Sequence, residues 1–213
     1  MGYKKSEVSV AHIVEATTRV LARQGYARTS LMDIAKEAGM SKGAVHYHFP
    51  TKEALMSVVL QTACDAVAER TRKTWTAAAA GNPLEAMRAS LRELWRARAE
   101  RSDEALVVAD LLAQSVHDVK LREPLAEYYR FASAQVHEHL MEQMVRIGFT
   151  PRLPAAIVPR LLHALLDGFL MQAIVDPAAT SEDEIVSALE LLATSLFRFD
   201  AAPTGPAEQP AGG

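Results

Sequence analysis

Apolar residues recur along this chain at intervals of three and four, and glycine, proline and capping residues interrupt the pattern at several points. Such spacing places apolar side chains on one face of a helix, whereas a strand would alternate apolar and polar residues. No alternating stretch is found, so the sequence predicts an all-α fold of about nine helices. The predicted helices cover about residues 8–24, 31–38, 42–49, 52–75, 83–101, 103–116, 124–148, 155–175 and 182–199.

Two short predicted helices follow one another closely and are separated by Gly39, which suits a left-handed turn. Ser30 and Ser41 are capping residues that would start the first and the second of them. The second helix places Val45 and Phe49 on one face. Its outward residues are small, basic or aromatic, and they include Lys42, His46, Tyr47 and His48. This arrangement is typical of a helix-turn-helix, whose second helix lies in the major groove of DNA.

Charge is distributed unevenly along the chain. The net charge is −3, but residues 1–52 carry +4 and the remainder carries −7. A basic segment that coincides with the predicted helix-turn-helix favours contact with phosphates. The composition, 49% hydrophobic and 23% charged, excludes a chain that is disordered as a whole.

The sequence favours a cytoplasmic location without a membrane segment. Cys64 is the single cysteine, which fits a reducing compartment, and its place on a helix suggests a small core residue more than a redox sensor. The amino end lacks the charged-then-apolar pattern of a secretory signal. No apolar run approaches about 20 residues without charges, so no membrane span is expected.

The eighth predicted helix is apolar around most of its circumference, which requires burial on two sides. Its apolar residues are Ile157, Val158, Leu161, Leu162, Leu165, Leu166, Phe169, Leu170, Ala173 and Ile174. We interpret one side as domain core and the other as a homodimer interface, formed together with the ninth helix as a four-helix bundle. The ninth helix is expected to contribute Ile185, Leu189, Leu192 and Leu196. A monomer core large enough to enclose the helix is the alternative.

Three motifs in the amino-terminal part match a known family in order. They are G-Y-x-x-T-S at Gly25 to Ser30, D-I-A-x-E-A-G at Asp33 to Gly39, and SKGAVHYHFPTKEAL at Ser41 to Leu55. On these motifs the chain resembles the TetR family of bacterial transcription regulators. The resemblance implies an all-helical homodimer with a DNA-binding head, residues 1–52, and a larger body for effector binding and dimerisation, residues 53–200. Residues 201–213, rich in proline, glycine and alanine, are predicted to be a disordered tail.

The resemblance also implies the DNA contacts, and a two-fold dimer implies a palindromic double-stranded operator. Base edges are expected to face Lys42, Gly43, Ala44 and His46, and phosphates are expected to face Thr29, Tyr47, His48 and Lys52. The residue types agree, because a lysine can donate to guanine and small residues allow close approach. His46 stands where the family usually has tyrosine, and Ala44 where it often has threonine, so the operator sequence stays open.

A mostly apolar cavity with a few polar groups is expected in the body. The candidate effector-binding residues are Leu91, Trp95, Leu112, Tyr128, Phe131, Gln135, His163 and Asp167. For each of them, ordinary core or interface packing is an equal alternative. The mixture of aromatic and aliphatic residues favours a small organic effector that is neutral or weakly polar.

The sequence contains no motif for catalysis, a cofactor or a metal. The histidine pairs at 46/48 and 137/139 have a spacing of two, which places the rings on different sides of a helix. The prediction is therefore a ligand-responsive regulator, most simply a repressor that an effector releases from DNA. The alternatives are an activator, a regulator without a ligand, a helical dimer that has lost DNA binding, and an all-helical enzyme.

Overall fold

Helices form nearly all of the regular structure. The computed structural model of the chain describes residues 2–79, 82–100, 103–146 and 148–199; the predicted tail at 201–213 lies outside them. Within these ranges there are ten α-helices. They are α1 (Gly2–Gln24), α2 (Leu31–Glu37), α3 (Lys42–His48), α4 (Lys52–Ala79), α5 (Pro83–Ala99), α6 (Asp103–Ser115), α7 (Arg122–Val136), α8 (Glu142–Arg146), α9 (Ile157–Val175) and α10 (Glu182–Ser195).

The predicted all-α fold is confirmed, with one difference in the helix count. A single helix was predicted over about residues 124–148, but a π-helical segment at His137–Met141 separates α7 from α8. A 3-10 turn at Val119–Leu121 precedes α7. A π segment adds one residue to a helical turn while the chain direction continues, so the apolar spacing on either side still looks like one helix.

A two-stranded antiparallel ribbon is a second difference, since no strand was predicted. β1 (Phe149–Pro151) pairs with β2 (Phe197–Phe199), and Thr150 lies opposite Arg198. Three residues on each strand are too few to show an alternating pattern. The ribbon ties the end of α10 to the turn after α8, where Gly148 has a φ of 93°.

Two apolar clusters hold the helices together. The head cluster joins α1, α2, α3 and the start of α4, and it also includes Val107 and Leu111 of α6. The body cluster is centred on α5, α9 and α10, with Trp95 and Leu166 among its buried members. Because α6 contributes to the head cluster, the amino-terminal helices pack directly against α6.

The helix α9 is long and apolar enough to cross a membrane if length and composition are considered alone, and the part of the chain that the structure describes holds one such helix. The same test is passed by core helices, so this is weak evidence for a membrane segment. Here Leu166 and Leu170 are buried in the body cluster. Much of the remaining apolar surface of α9 is exposed, including Leu161, Met171 and Val175.

Candidate nucleic-acid interface and buried cavity

Local hydrogen bonds define the two short helices of the predicted helix-turn-helix. The Ser30 hydroxyl accepts from the backbone N–H of Asp33 at 3.3 Å, and the Ser30 N–H donates to the Asp33 carboxylate at 2.8 Å. The Ser30 hydroxyl also donates to the Asp33 carboxylate at 2.6 Å, and this bond, together with the one from the Ser30 N–H, holds the pKa of Asp33 below its ordinary value. Gly39 turns the chain with a φ of 62°, and the Ser41 hydroxyl caps α3 by accepting from Ala44 N–H at 3.1 Å. The capping and turn residues named from the sequence therefore make the expected bonds.

The outer face of α3 is open to solvent. Val45 and Phe49 are buried, whereas the Tyr47 side chain is 84% exposed. Of the other predicted contacts on this helix, Lys42, Gly43 and His46 are exposed, and Ala44 and His48 are half-buried. The helix thus presents a basic and aromatic surface that its own core does not use.

Gly43 leaves the helix backbone uncovered at one point of this surface. A Cβ atom added at Gly43 would meet only the Ser41 hydroxyl, at 3.9 Å, among the described residues. Folding of the protomer therefore does not require glycine at this position. A glycine on an exposed helix lowers stability by about 0.5–1 kcal/mol relative to alanine. Its presence on α3 favours contact with another molecule, because glycine lets that molecule approach the helix backbone closely.

Thr29 and Lys52, both predicted to contact phosphate, point inward in this structure. Thr29 is buried, and its hydroxyl donates to the Gly25 carbonyl at 2.8 Å. The Lys52 ammonium donates to the Tyr26 carbonyl at 2.5 Å and lies 3.5 Å from the centroid of the Tyr26 ring. Burial lowers the pKa of Lys52. Both side chains stabilise the turn after α1, so phosphate contact by either would require a rearrangement.

The turn after α1 is also bonded to α6. Gly25 has a φ of 76°, and the Tyr26 N–H donates to the Asp110 carboxylate at 2.6 Å. A Cβ atom at Gly25 would lie 3.3 Å from the same carboxylate. We call this contact the turn–α6 junction. The junction was not predictable from the sequence, because no local signal reports a partner 84 positions away.

A cavity of about 230 Å³ lies among α4, α5, α6, α7 and α9. Its wall is largely apolar, as predicted for an effector site. Residues of α4 and α5 in the wall are Ala63, Cys64, Ala66, Val67, Ala68, Arg70, Thr71, Leu94, Ala97 and Arg98. The other helices contribute Glu104, Ala105, Val108, Tyr128, Ala132, Gln135, Val136, His163, Asp167 and Leu170. Burial raises the pKa of the Cys64 thiol to about 12, which favours the neutral thiol.

Four of the eight predicted effector residues line this cavity, and four do not. Tyr128, Gln135, His163 and Asp167 are in the wall. The other four lie elsewhere: Leu91 and Trp95 in the body cluster, Leu112 against the head cluster, and Phe131 half-buried on α7 outside the wall. On α5 the cavity is lined instead by Leu94, Ala97 and Arg98.

Arg98 is the main residue that the sequence reasoning missed. It is 8% exposed and donates to the Asp167 carboxylate at 2.9 Å and to the Leu94 carbonyl at 3.1 Å. Its third contact is with Nδ1 of His163, at 3.0 Å. The Tyr129 hydroxyl donates to the other Asp167 oxygen at 2.7 Å. We call Arg98, Tyr129, His163 and Asp167 the Arg98 cluster.

Burial, with a further contribution from the Arg98 charge, lowers the pKa of His163 to about 4, so its ring is neutral at pH 7. Its Nε2 atom is buried and has no hydrogen-bond partner in the described part of the chain. The Asp167 charge and the Ala132 backbone oppose this lowering of the His163 pKa. Sequence reasoning found His163 as a candidate but had no means of detecting its unpaired atom.

Two family models match the chain. The model for bacterial regulatory proteins of the tetR family matches residues 13–59, and the model for the BetI-type transcriptional repressor C-terminal domain matches residues 83–198. The second match alone spans more than half of the chain. The chain belongs to the TetR family. This family consists of transcriptional regulators rather than enzymes, and the resemblance predicted from the three motifs is confirmed.

Individual TetR-family relatives match either a short part of the chain or nearly all of it. The chain is 37% identical to the HTH-type transcriptional regulator TtgR of Pseudomonas putida over 59 residues, which is 28% of the length of either protein. An uncharacterized HTH-type transcriptional regulator of Mycobacterium tuberculosis is 28% identical over 194 residues, 90% of this chain and 96% of that protein. The extended similarity of the second relative includes the cavity helices.

Solved structures share the whole TetR-family fold. A transcriptional regulator from Rhodococcus sp. Rha1 has a TM-score of 0.69 at 28% identity and covers 88% of this chain and 95% of its own. A regulator from Saccharomonospora viridis, solved in complex with choline, has a TM-score of 0.64 at 22% identity. It covers 90% of this chain and 98% of its own. At 22% identity, the similarity to this second structure is evidence only of a shared fold.

Proposed function

We propose that this TetR-family protein is a ligand-responsive transcriptional repressor that binds a palindromic operator as a homodimer and is released by a small organic effector. The turn–α6 junction is the observation that carries the proposal. It joins the helix-turn-helix to α6, and α6 also lines the cavity with Ala105 and Val108. Occupancy of the cavity can therefore alter the position of the DNA-binding helices. The head is assigned to residues 1–52 and the body to residues 53–200.

The proposed DNA contacts are the exposed and half-buried residues of α3. Lys42, Gly43, Ala44 and His46 are assigned to base edges, and Tyr47 and His48 to the phosphate backbone. The inward positions of Thr29 and Lys52 leave them out of this set. A helical dimer without DNA binding is the weaker alternative, since it assigns no role to the exposed Lys42 and Tyr47. Binding to chromosomal DNA places the protein in the cytoplasm.

Replacing Lys42 with alanine should weaken operator binding at least about thirtyfold, because each dimer loses two cationic contacts worth about 1–3 kcal/mol each. The measurement is a footprint titration on DNA upstream of the protein's own gene. Lys73→Ala is the matched control, since Lys73 is an exposed lysine of α4 whose side chain is 70% accessible. Equal effects of the two substitutions would contradict the proposal, as would a wild-type complex that is insensitive to salt.

The proposed dimer interface consists of the exposed apolar faces of α9 and α10. Leu161, Ala164, Gly168, Met171 and Val175 follow one another at spacings of three and four on α9, and all five are exposed in the protomer. On α10, Leu191 and Leu192 are exposed, whereas Ile185 and Leu189, which were also expected at the interface, are buried in the body cluster. A contiguous apolar surface of this kind favours burial against a second copy, and the small residues permit close helix approach.

Leu191→Glu should raise the dimer dissociation constant about a hundredfold or more, because a two-fold interface would bury two unpaired carboxylates. Sedimentation at micromolar concentration should then report the mass of one chain rather than two. Leu106→Glu, at an exposed leucine of α6, should leave the dimer intact. A Leu191→Glu protein that remains dimeric would exclude this surface as the interface.

A further inference from the structure

We infer that Val136 limits the length of the effector, because its side chain closes the inner end of the cavity and separates it from a second, entirely apolar pocket. The effector is then a molecule whose apolar tail ends against Val136 and whose polar end lies at the open side of the cavity. This inference rests on the proposed function of the cavity as the effector site. It adds the orientation of the effector and the residue that determines which lengths are accepted.

Val136 lies between the two spaces. Among the residues that the structure describes, it alone lines both the cavity and the second pocket. It is 7% exposed and is the last residue of α7, directly before the π-helical segment. A valine in a helix has one strongly preferred side-chain conformation, so its two methyl groups form a fixed wall.

The helix α5 borders both spaces with a single face. Met87 and Leu91 line the second pocket, and Leu94 and Arg98 line the cavity. Their spacings of four, three and four residues place them on one side of the helix. Because a helix rises about 1.5 Å per residue, Leu91 and Leu94 are only about 4.5 Å apart along the axis. The second pocket therefore continues the cavity along α5, and a chain that lies in the cavity would enter it if Val136 were smaller.

The second pocket suits the end of an alkyl chain. It has a volume of about 30 Å³, and all of its lining residues are apolar. Its side chains offer no hydrogen bond to a water molecule, so an alkyl group is the favoured occupant. Met87, Met141 and Met144 are buried members of its wall. Unbranched thioether side chains adapt to irregular shapes, which allows the pocket to admit a chain end.

The exposed charges in the wall mark the open side of the cavity. Arg70 and Glu104 line the cavity and are exposed. Val136, Ala132 and Leu170 also line it but are buried, so they form its inner wall. A polar group that is buried without a hydrogen bond destabilises a complex. The ligand therefore keeps its polar end near Arg70 and Glu104 and directs its apolar tail towards Val136.

The volumes give the expected length limits. A cavity of about 150 Å³ accommodates benzene, which corresponds to roughly 25 Å³ for each non-hydrogen atom. The cavity of about 230 Å³ therefore holds roughly nine such atoms, the size of 1-octanol. The second pocket adds about 30 Å³, and the two Val136 methyl groups occupy roughly 50 Å³ on the same scale. Removing these methyl groups should therefore provide space for about three more atoms.

A series of 1-alkanols from hexanol to dodecanol measures the limit, by calorimetry with the full-length protein in the absence of DNA. In wild type, affinity should rise about fourfold per added methylene up to about 1-octanol, since each buried CH₂ contributes about 0.8 kcal/mol. Beyond about 1-nonanol the affinity should stop rising, because the end of the chain meets the Val136 side chain.

Substitutions at Val136 assign the limit to this residue. Val136→Ala should extend the rise by about three carbons, so that 1-undecanol binds at least about tenfold more tightly than it binds to wild type. Val108→Ala is the matched control, because Val108 lines the cavity but not the second pocket. It removes the same volume elsewhere in the wall and should move the limit by no more than about one carbon.

A larger residue at the same position should act in the opposite direction. Val136→Ile adds one methylene to the wall and should shorten the limit by about one carbon. Melting temperatures establish that each variant is folded. If Val136→Ala is not folded, the direction of the shift in Val136→Ile decides the question.

Wild-type affinity that keeps rising to 1-dodecanol, equal shifts for Val136→Ala and Val108→Ala, or an unchanged limit in Val136→Ile would each overturn the inference. So would the absence of alkanol binding to wild type. The operator footprint is measured independently of these titrations. A footprint without alkanol binding would reject the role of Val136 while leaving the regulator intact. A limit that follows Val136 in a protein without any footprint would reject the proposed regulator instead.

Discussion

Asp167→Ala should lower the free energy of unfolding by about 3–5 kcal/mol, because it leaves the Arg98 charge buried without its partner. Arg98 is 8% exposed, and the Asp167 carboxylate accepts from both Arg98 and the Tyr129 hydroxyl. Removal of the carboxylate also takes the acceptor from the half-buried Tyr129 hydroxyl. Urea titration followed by circular dichroism measures the change. A loss of this size is a large fraction of the total stability of a typical domain.

A matched control separates burial from charge pairing. Asp183 pairs with Arg92 at 2.7 Å, but its side chain is 78% exposed. Asp183→Ala should cost less than about 1 kcal/mol, as other exposed ion pairs do. Similar losses for Asp183→Ala and Asp167→Ala would mean that the Arg98 cluster is solvated and does not form as described.

Stability should also fall as the pH is lowered from about 6.5 to about 4, by up to roughly 3 kcal/mol. The pKa of His163 is about 4 in the folded protein, against an ordinary value of 6.5. In this window the unfolded chain binds a proton that the folded chain excludes, so unfolding becomes more favourable as the pH falls. Above pH 6.5 both states are neutral at this position and the contribution is constant. Urea midpoints measured at half-unit intervals of pH report the slope.

His163→Gln is the control for this pH dependence, because glutamine does not titrate. Its stability curve should be flatter than that of wild type between pH 6.5 and 4.5. Below that window the carboxylates with lowered pKa, including Asp33 and Glu184, begin to lose their hydrogen-bonded charge and would destabilise both proteins. Parallel curves for the two proteins above pH 4.5 would show that His163 is not buried as a neutral ring.

Helix starts and the recognition surface were predictable because their signals are local. The reciprocal cap at Ser30 forms within three residues, and so does the one between Ser181 and Glu184 that opens α10. The inward and outward residues of α3 follow from a spacing of four, and Val45 and Phe49 are buried as expected. Signals of this kind do not depend on how the helices pack together.

The cavity was only half predictable because its wall depends on contacts between distant helices. Arginine is normally a surface residue, so nothing in α5 indicates that Arg98 is buried. Its burial becomes possible only when α9 brings Asp167 and His163 alongside it, 65 or more positions away. The bond from Lys52 to the Tyr26 carbonyl was not predictable for the same reason, since the two residues are 26 positions apart.

The turn–α6 junction has a consequence for how the two binding events influence each other. If Asp110 transmits effector occupancy to the helix-turn-helix, the coupling free energy is a property of the whole protein and acts in both directions. Operator DNA must then weaken effector binding by the same factor by which the effector weakens operator binding. An operator-bound repressor would respond at a higher effector concentration than the free protein does, so the response threshold depends on how many operators compete for each dimer.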